Sequence, residues 1–260
     1  MLNLIYDEKL LEKLKSCSVA KQGAVGDAPS AWAKEMGLDE VSDYNLPETQ
    51  LTRQSVKEIC QSEEYLKGYI CAMSWGGQGR GPGGSTHVKN AWKGREKIEE
   101  TLKVIREGHL SRKELYNLFC EEGEISGLGP AYFTKLLYFF DPCAPTRCYI
   151  MDQWTTKPIL LLTNKHLIRH ANGSPSRNNR GANYEIFCKI IEDLAEKLKI
   201  SKSDKSTAED MEERLFSVGS IKRQPRGEWR QVVYDEWIKK CQFGRYDRKL
   251  VDSLIKSYSI

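Results

Sequence analysis

With 260 residues, 40% of them hydrophobic, the chain can bury an ordinary core as one large domain or two closely packed lobes, and its net charge of +4 is only mildly basic. The longest apolar run, Tyr149 to Leu162, is broken by Asp152, Gln153, Lys157 and Pro158, which excludes a bilayer-spanning helix, and Asp7, Glu8 and Lys9 interrupt the apolar core that a secretory leader would need after Tyr6. The expectation is therefore a cytoplasmic, monomeric globule that makes no use of a membrane. Cysteines lie singly at Cys17, Cys60, Cys71, Cys120, Cys143, Cys148, Cys188 and Cys241, mostly inside helical patterns, so they read as buried free thiols, and no CxxC or His/Cys cluster offers a zinc site.

Helical periodicity predicts, in chain order, Leu2 to Leu14, Val56 to Met73, Lys89 to Glu107, Ser111 to Glu122, Ala131 to Phe140, Asp152 to Leu162, Asn183 to Leu198, Ala208 to Val218 and Arg230 to Lys240. Connections fall at Gln22 to Ser30, Gly76 to Ser85, Gly173 to Ala182 and Ser201 to Thr207. Runs of alternating β-branched residues are nearly absent and there is no internal repeat, so the fold class is all-α. Charge is unevenly spread. Lys222, Arg223, Arg226 and Arg230 interleave with Trp229 in a basic C-terminal helical extension, 221–260, and Arg169, His170, Arg177 and Arg180 flank a loop. Each cluster reads either as a track for a phosphate backbone or as a solvated surface.

The sharpest local feature is Ile125-Ser126-Gly127-Leu128-Gly129-Pro130-Ala131, between two predicted helices. Gly127 and Gly129 allow a hairpin too tight for side chains, Leu128 plugs the gap between the helices, and Pro130 suits a first helical position. Backbone amides from Ala131 onward would then point at an anion, holding one phosphate without reading sequence. A GxG between helices is also an ordinary turn. What distinguishes this one is its sequel: the apolar helix Ala131 to Phe140, the proline-bearing loop Asp141 to Arg147, and then Tyr149-Ile150-Met151-Asp152-Gln153-Trp154 stepping into another helix.

In that order and spacing the residues from 111 to 162 resemble the hairpin and catalytic core of the helix-hairpin-helix DNA glycosylase superfamily, and Gly68 to Trp75 resembles the helix before the DNA-wedge loop of 8-oxoguanine glycosylases. The likeness is greatest to bacterial 8-oxoguanine-glycosylase-like proteins, some relatives of which remove hypermodified cytosines from viral DNA in antiphage defence. The resemblance implies a single glycosylase domain over 1–260, with two helical lobes flanking a DNA- and base-binding cleft, and DNA as partner. It gives Asp152 the catalytic carboxylate, which would oppose the positive charge that builds on the deoxyribose as the base leaves. Asp before a helix is also a plain N-cap. Strand-cleaving relatives carry a nucleophilic lysine where this chain has Ala131, so base release should be hydrolytic and leave an abasic site. Lys135, one turn later, and Trp154 are the base-pocket candidates. Lys135 also reads as a displaced nucleophile or a surface lysine, and Trp154 and Trp229 as stacking faces or core. Trp75, Gln78 and Arg80 are the candidates for the wedge and its support, against a flexible surface turn.

Iron-sulfur relatives hold their cluster through four cysteines after the core. Cys188 and Cys241 alone stand there, so no cluster is expected, and the only inorganic component the resemblance suggests is a structural monovalent cation on the hairpin carbonyls. Substrate choice stays open. A glucosylated hydroxymethylcytosine of phage DNA is favoured slightly over oxidised guanine, and a DNA-binding module without catalysis or a helical scaffold with no DNA role are the competing readings.

Overall fold

The computed structural model describes residues 4–17, 22–80, 83–120, 123–143, 147–199, 206–216 and 227–240. Among them run twelve α-helices: α1 (Glu8–Ser16), α2 (Pro29–Met36), α3 (Arg53–Cys60), α4 (Tyr65–Trp75), α5 (Gly84–Lys93), α6 (Arg95–Glu107), α7 (Arg112–Asn117), α8 (Pro130–Phe140), α9 (Gln153–Thr163), α10 (Gly181–Lys197), α11 (Ala208–Phe216) and α12 (Glu228–Lys240). The described residues also include a 3-10 turn, Ser42–Tyr44, and a two-stranded hairpin, β1 (His170–Ala171) with β2 (Ser174–Pro175).

Two predicted helices divide. The run from Val56 to Met73 breaks after Cys60, because the Ser62 hydroxyl donates to the Ile59 carbonyl and accepts the Glu64 amide, offering the backbone an alternative to the helix. The run from Lys89 to Glu107 breaks at Gly94, whose amide turns back to the Ala91 carbonyl. The helix expected to reach Glu122 ends at Asn117, with its start fixed by a reciprocal cap between Ser111 and Glu114. Helix α2 went unpredicted although Pro29 opens it and Gly37, at φ 61°, closes it.

The chain divides into two compact units: Gln22–Ile150, and the described residues of Met1–Lys21 with those of Met151–Ile260. The predicted core 111–162 is thus shared out, the hairpin to the first unit and Asp152 to the second.

In the first unit α4 is buried from Gly68 to Trp75 and packs against α2, α3, α6 and α8. Helix α8 is buried from Phe133 to Phe140, and an aromatic cluster fastens it to the helix before it: Phe133 lies 4.8 Å from Tyr116 at a steep angle and 4.9 Å from Phe119 in a stack. Each such ring removed from water contributes about 1.5–3 kcal/mol. This cluster fixes the angle at which the chain enters the hairpin.

In the second unit α9 is the central rod, buried from Thr155 to Thr163 and packed against α1, α10, α11 and α12. The N-terminal segment joins it through the Asp7 amide, which donates to the Leu162 carbonyl at 2.8 Å, and the Tyr6 hydroxyl reaches Asp193 of α10 at 2.7 Å. Pro158 sits inside α9 and removes one helical donor, the one that would meet the Trp154 carbonyl, without ending the helix.

Candidate active site

The turn between α7 and α8 is built from backbone upward. Leu128, almost wholly buried, plugs it, and its amide closes on the Ile125 carbonyl at 3.1 Å. The two glycines do different work. Gly127 adopts φ 83°, and a Cβ there would stand 2.0 Å from the His87 carbonyl oxygen of α5. The fold itself requires this glycine. Gly129 sits at φ −88° and ψ 174°, a conformation open to any residue, and a Cβ there would meet nothing within 4 Å. It is the N-cap of α8 and contributes no side-chain cap. The amides of Tyr132 and Phe133 turn back to the Gly129 carbonyl, whereas that of Ala131, the first N–H of the helix because Pro130 has none, makes no hydrogen bond to the described residues. The result is an uncovered helix N-terminus with an open approach.

The segment after α4 is tied to this hairpin. Gln78, expected at the DNA face, is instead turned inward and 1% exposed: its side-chain amide donates to the Gly127 carbonyl at 3.3 Å, and its own carbonyl accepts the Trp32 indole at 2.9 Å. Trp75 is core, edge-on to Phe139 at 5.2 Å, with the Arg53 guanidinium over its ring. Arg80 is the exposed member, paired with Asp27 and held at 3.0 Å through its Nε. Lys135 is 6% exposed. Its stem lies against Gly76, where a Cβ would come within 2.6 Å of it, and its ammonium donates to the Ala131 carbonyl beside the Tyr132 ring. Hairpin, loop and Lys135 therefore form one connected patch. The carbonyls of Ile125, Gly127 and Gly129 each already accept a protein donor, so the monovalent cation expected there would have only their second lone pairs to use.

In the other unit Asp152 caps α9. Its Oδ1 accepts the amides of Trp154 at 2.7 Å and Thr155 at 3.0 Å, while its own amide donates to the Thr155 hydroxyl at 3.0 Å. Oδ2 accepts nothing from the described residues, and the side chain keeps a narrow edge in solvent. One oxygen is thus committed to the helix and the other is left over, with the positive end of the helix dipole behind it. The Asp152 carbonyl takes the Thr156 hydroxyl at 2.6 Å, and that hydroxyl is 3.0 Å from His170 Nε2. Burial, reinforced by the Lys157 ammonium and opposed by the Ile168 carbonyl, pushes the His170 imidazole down to about 4. Trp154 is half-buried, flanked by the Arg230 guanidinium 4.6 Å from its ring centre and by the buried Lys157 ammonium at 5.3 Å. Trp229 is core, 1% exposed.

Sequence reading missed several supports. Asp141 closes α8 and grips Arg147 through three contacts, at 2.9, 3.0 and 3.2 Å, clasping the proline-bearing loop at its ends. The β1–β2 hairpin turns on Asn172 and Gly173, both at positive φ, and Asn-Gly was the signal that could have found it. Among the described residues no group of three or more His, Cys, Asp or Glu stands close enough to hold a metal ion, and no helix is long and apolar enough to cross a membrane. The seven described cysteines are free thiols, four of them buried. Cys241, Lys222, Arg223 and Arg226 lie outside the described residues, as does most of the basic extension 221–260.

The mostly helical architecture, with only a two-stranded hairpin besides among the described residues, and the α7–α8 hairpin are those of a helix-hairpin-helix DNA glycosylase fold. Over residues 19–216, roughly three quarters of the chain, the sequence matches the family described as "Putative 8-oxoguanine DNA glycosylase OGG-like protein". The chain belongs to this family of 8-oxoguanine DNA glycosylase-like proteins, and DNA is the partner that membership implies. No curated protein and no solved structure matches it.

Proposed function

We propose that the protein is a monofunctional DNA glycosylase that extrudes a modified base and hydrolyses its N-glycosidic bond with Asp152 as the catalytic carboxylate. The observation that carries this reading is the division of labour within that carboxylate: Oδ1 is spent on the α9 amides and Oδ2 is not. A cap alone needs one oxygen. In the reaction the hairpin amides at Ala131 hold a backbone phosphate, Arg80 supports the opened duplex, and Lys135 and Trp154 contact the extruded base. As the bond from C1′ to the base nitrogen lengthens, positive charge grows on the sugar and the fixed Asp152 charge opposes it. Water supplies the oxygen that bonds to C1′, its proton offsets the negative charge on the departing base, and an abasic site remains. Ala131 stands where strand-cleaving relatives place their lysine, so no covalent enzyme–sugar bond is required.

The test is mass spectrometry of bases released from a panel of duplexes. 8-Oxoguanine leads it because of the family, and glucosylated hydroxymethylcytosine from phage DNA forms the second arm, where release would favour a role in antiviral defence over repair. Asp152→Asn keeps the shape and the capping oxygen but loses the charge, and should slow release about a hundred- to a thousandfold while DNA affinity holds. Release unaffected by this change would remove Asp152 from the chemistry. DNA binding with no release from any duplex would leave a binding module.

A further inference from the structure

We propose that His170 and Thr156 are positioning residues for the Asp152 carboxylate, joined to its backbone carbonyl as a two-step chain of hydrogen bonds; this rests on the glycosylase reading above. The chain lies within the second unit, and its direction follows from counting protons. Thr156 Oγ1 stands 2.6 Å from the Asp152 carbonyl oxygen and 3.0 Å from His170 Nε2. A carbonyl has no proton to give, so two oxygens this close are held together by the hydroxyl proton lying between them. The hydroxyl then has only lone pairs to offer the imidazole, and Nε2 must carry the proton of the second bond. His170 therefore donates to Thr156, and Thr156 to Asp152.

A threonine hydroxyl turned back to the carbonyl four residues earlier is by itself ordinary: Thr101, Thr134 and Thr163 do the same toward Lys97, Pro130 and Ile159. What the fold adds at Thr156 is a ring brought from another part of the chain and fixed there. Strand β1, which carries His170, pairs with β2 across the Asn172-Gly173 turn. Buried Asn179 clasps the neighbouring Arg169, taking its amide and donating to its carbonyl, each at 2.8 Å. Trp237 of α12 lies against the imidazole, with ring centroids 5.9 Å apart. The Asp152 carbonyl reached in this way also accepts the Thr156 amide at 3.0 Å, while the Asp152 amide is held by the Thr155 hydroxyl at 3.0 Å. Both backbone groups of Asp152 are thus pinned, and with Oδ1 on the α9 amides little freedom is left to Oδ2. A carboxylate that must face a developing charge acts best when held within about 0.5 Å of its productive place, and bonds in series strengthen one another. Burial first, then the Lys157 ammonium, holds the ring neutral, with His166 acting in the same sense and the Ile168 carbonyl against them. The chain therefore fixes Asp152 without adding a charge that would offset the carboxylate.

Two measurements on the full chain test this. Proton–nitrogen correlation spectra of histidine-labelled protein at neutral pH, with His170 assigned by its loss in His170→Phe, should show the ring proton on Nε2, and that signal should shift in Thr156→Val. A ring that carries its proton on Nδ1, directed to the Ile168 carbonyl, overturns the proposal whatever the activity. Single-turnover base release is then followed, with protein in excess, on duplexes carrying 8-oxoguanine or glucosylated hydroxymethylcytosine, beside anisotropy for affinity. Thr156→Val keeps the branched shape and drops the hydroxyl; release should slow about tenfold with affinity unchanged. Thr156→Ser should restore most of the rate. His170→Phe should lose less than Thr156→Val, and the double variant no more than Thr156→Val alone, because the ring acts only through the hydroxyl. Folded variants that release at the wild-type rate, or losses that add in the double variant, overturn the positioning role and leave the glycosylase reading intact. Wild-type protein that releases neither base overturns both.

Discussion

The hairpin glycines give the most direct separation of fold from function. At Gly127 an alanine would face two penalties: a left-handed backbone at φ 83°, which costs a side chain about 1–2 kcal/mol, and a Cβ 2.0 Å from the His87 oxygen, which forces α5 or the turn to move. Together these come to about 3 kcal/mol, and for a chain of this size that lowers Tm by roughly 6–12 °C. At Gly129 a valine meets no atom within 4 Å at a backbone conformation it adopts without strain, so Tm should hold or rise slightly as the unfolded chain loses freedom. That valine would, however, stand where a phosphate must approach the Ala131 amide. Losing one charge-assisted bond of this kind costs about 1.5–3 kcal/mol, a ten- to hundredfold loss of affinity on all sequences. Differential scanning fluorimetry and anisotropy on the same preparations give both quantities. Unchanged affinity in Gly129→Val would reduce the hairpin to a turn, and a Tm loss there equal to that of Gly127→Ala would show that the space is not open.

Gln78→Ala removes a strut under the hairpin and should weaken binding to duplex and single-stranded DNA alike, whereas Arg80→Ala should slow excision from duplex more than from single strands; kinetics on matched substrates separate them, and equal effects of Arg80→Ala on both would take it out of flipping. His170 is held below its unfolded value near 6.5, so its contribution to stability is present above that pH and is lost as pH falls toward about 4. The loss amounts to at most about 3 kcal/mol; urea unfolding of His170→Gln should show a flatter acid limb, and an unchanged limb would place the acid sensitivity elsewhere. Borohydride should trap no covalent adduct with DNA, and an adduct abolished by Lys135→Ala would show that the nucleophile lies one turn along α8 and that release is not purely hydrolytic.

What was legible in the sequence was whatever depends on local pattern. Helices α8 to α12 follow from periodicity, and the GxGP step and the aspartate after it marked the hairpin of the first unit and the candidate carboxylate of the second. Their partition between two units was not legible, since one boundary falls after Ile150, within the short apolar stretch Cys148 to Met151. Nor was the burial of Gln78. A polar residue among glycines reads as exposed, and only the carbonyl of Gly127, 49 positions away, supplies the acceptor that turns it inward. Helix α2 and the Asn-Gly hairpin were written in ordinary signals, and each was passed over because it falls within or beside a stretch already read as connection.

Gly127 and Gly129 are spelled alike, yet one is demanded by the protein and the other by nothing in it. The difference lies in what stands opposite: the α5 backbone at one, open space at the other. Asp152 presents the same contrast within a single side chain. Its N-cap role is written in the sequence by the helix that follows, but a capping aspartate is satisfied through one oxygen, and only the coordinates show that the second takes no bond from the described residues. A buried polar position that leaves an acceptor unused forgoes a stabilising bond. Forgoing it at the N-terminus of α9, which the other oxygen caps, keeps a charge available to a ligand, and for that reason Asp152→Asn should cost the reaction far more than the fold.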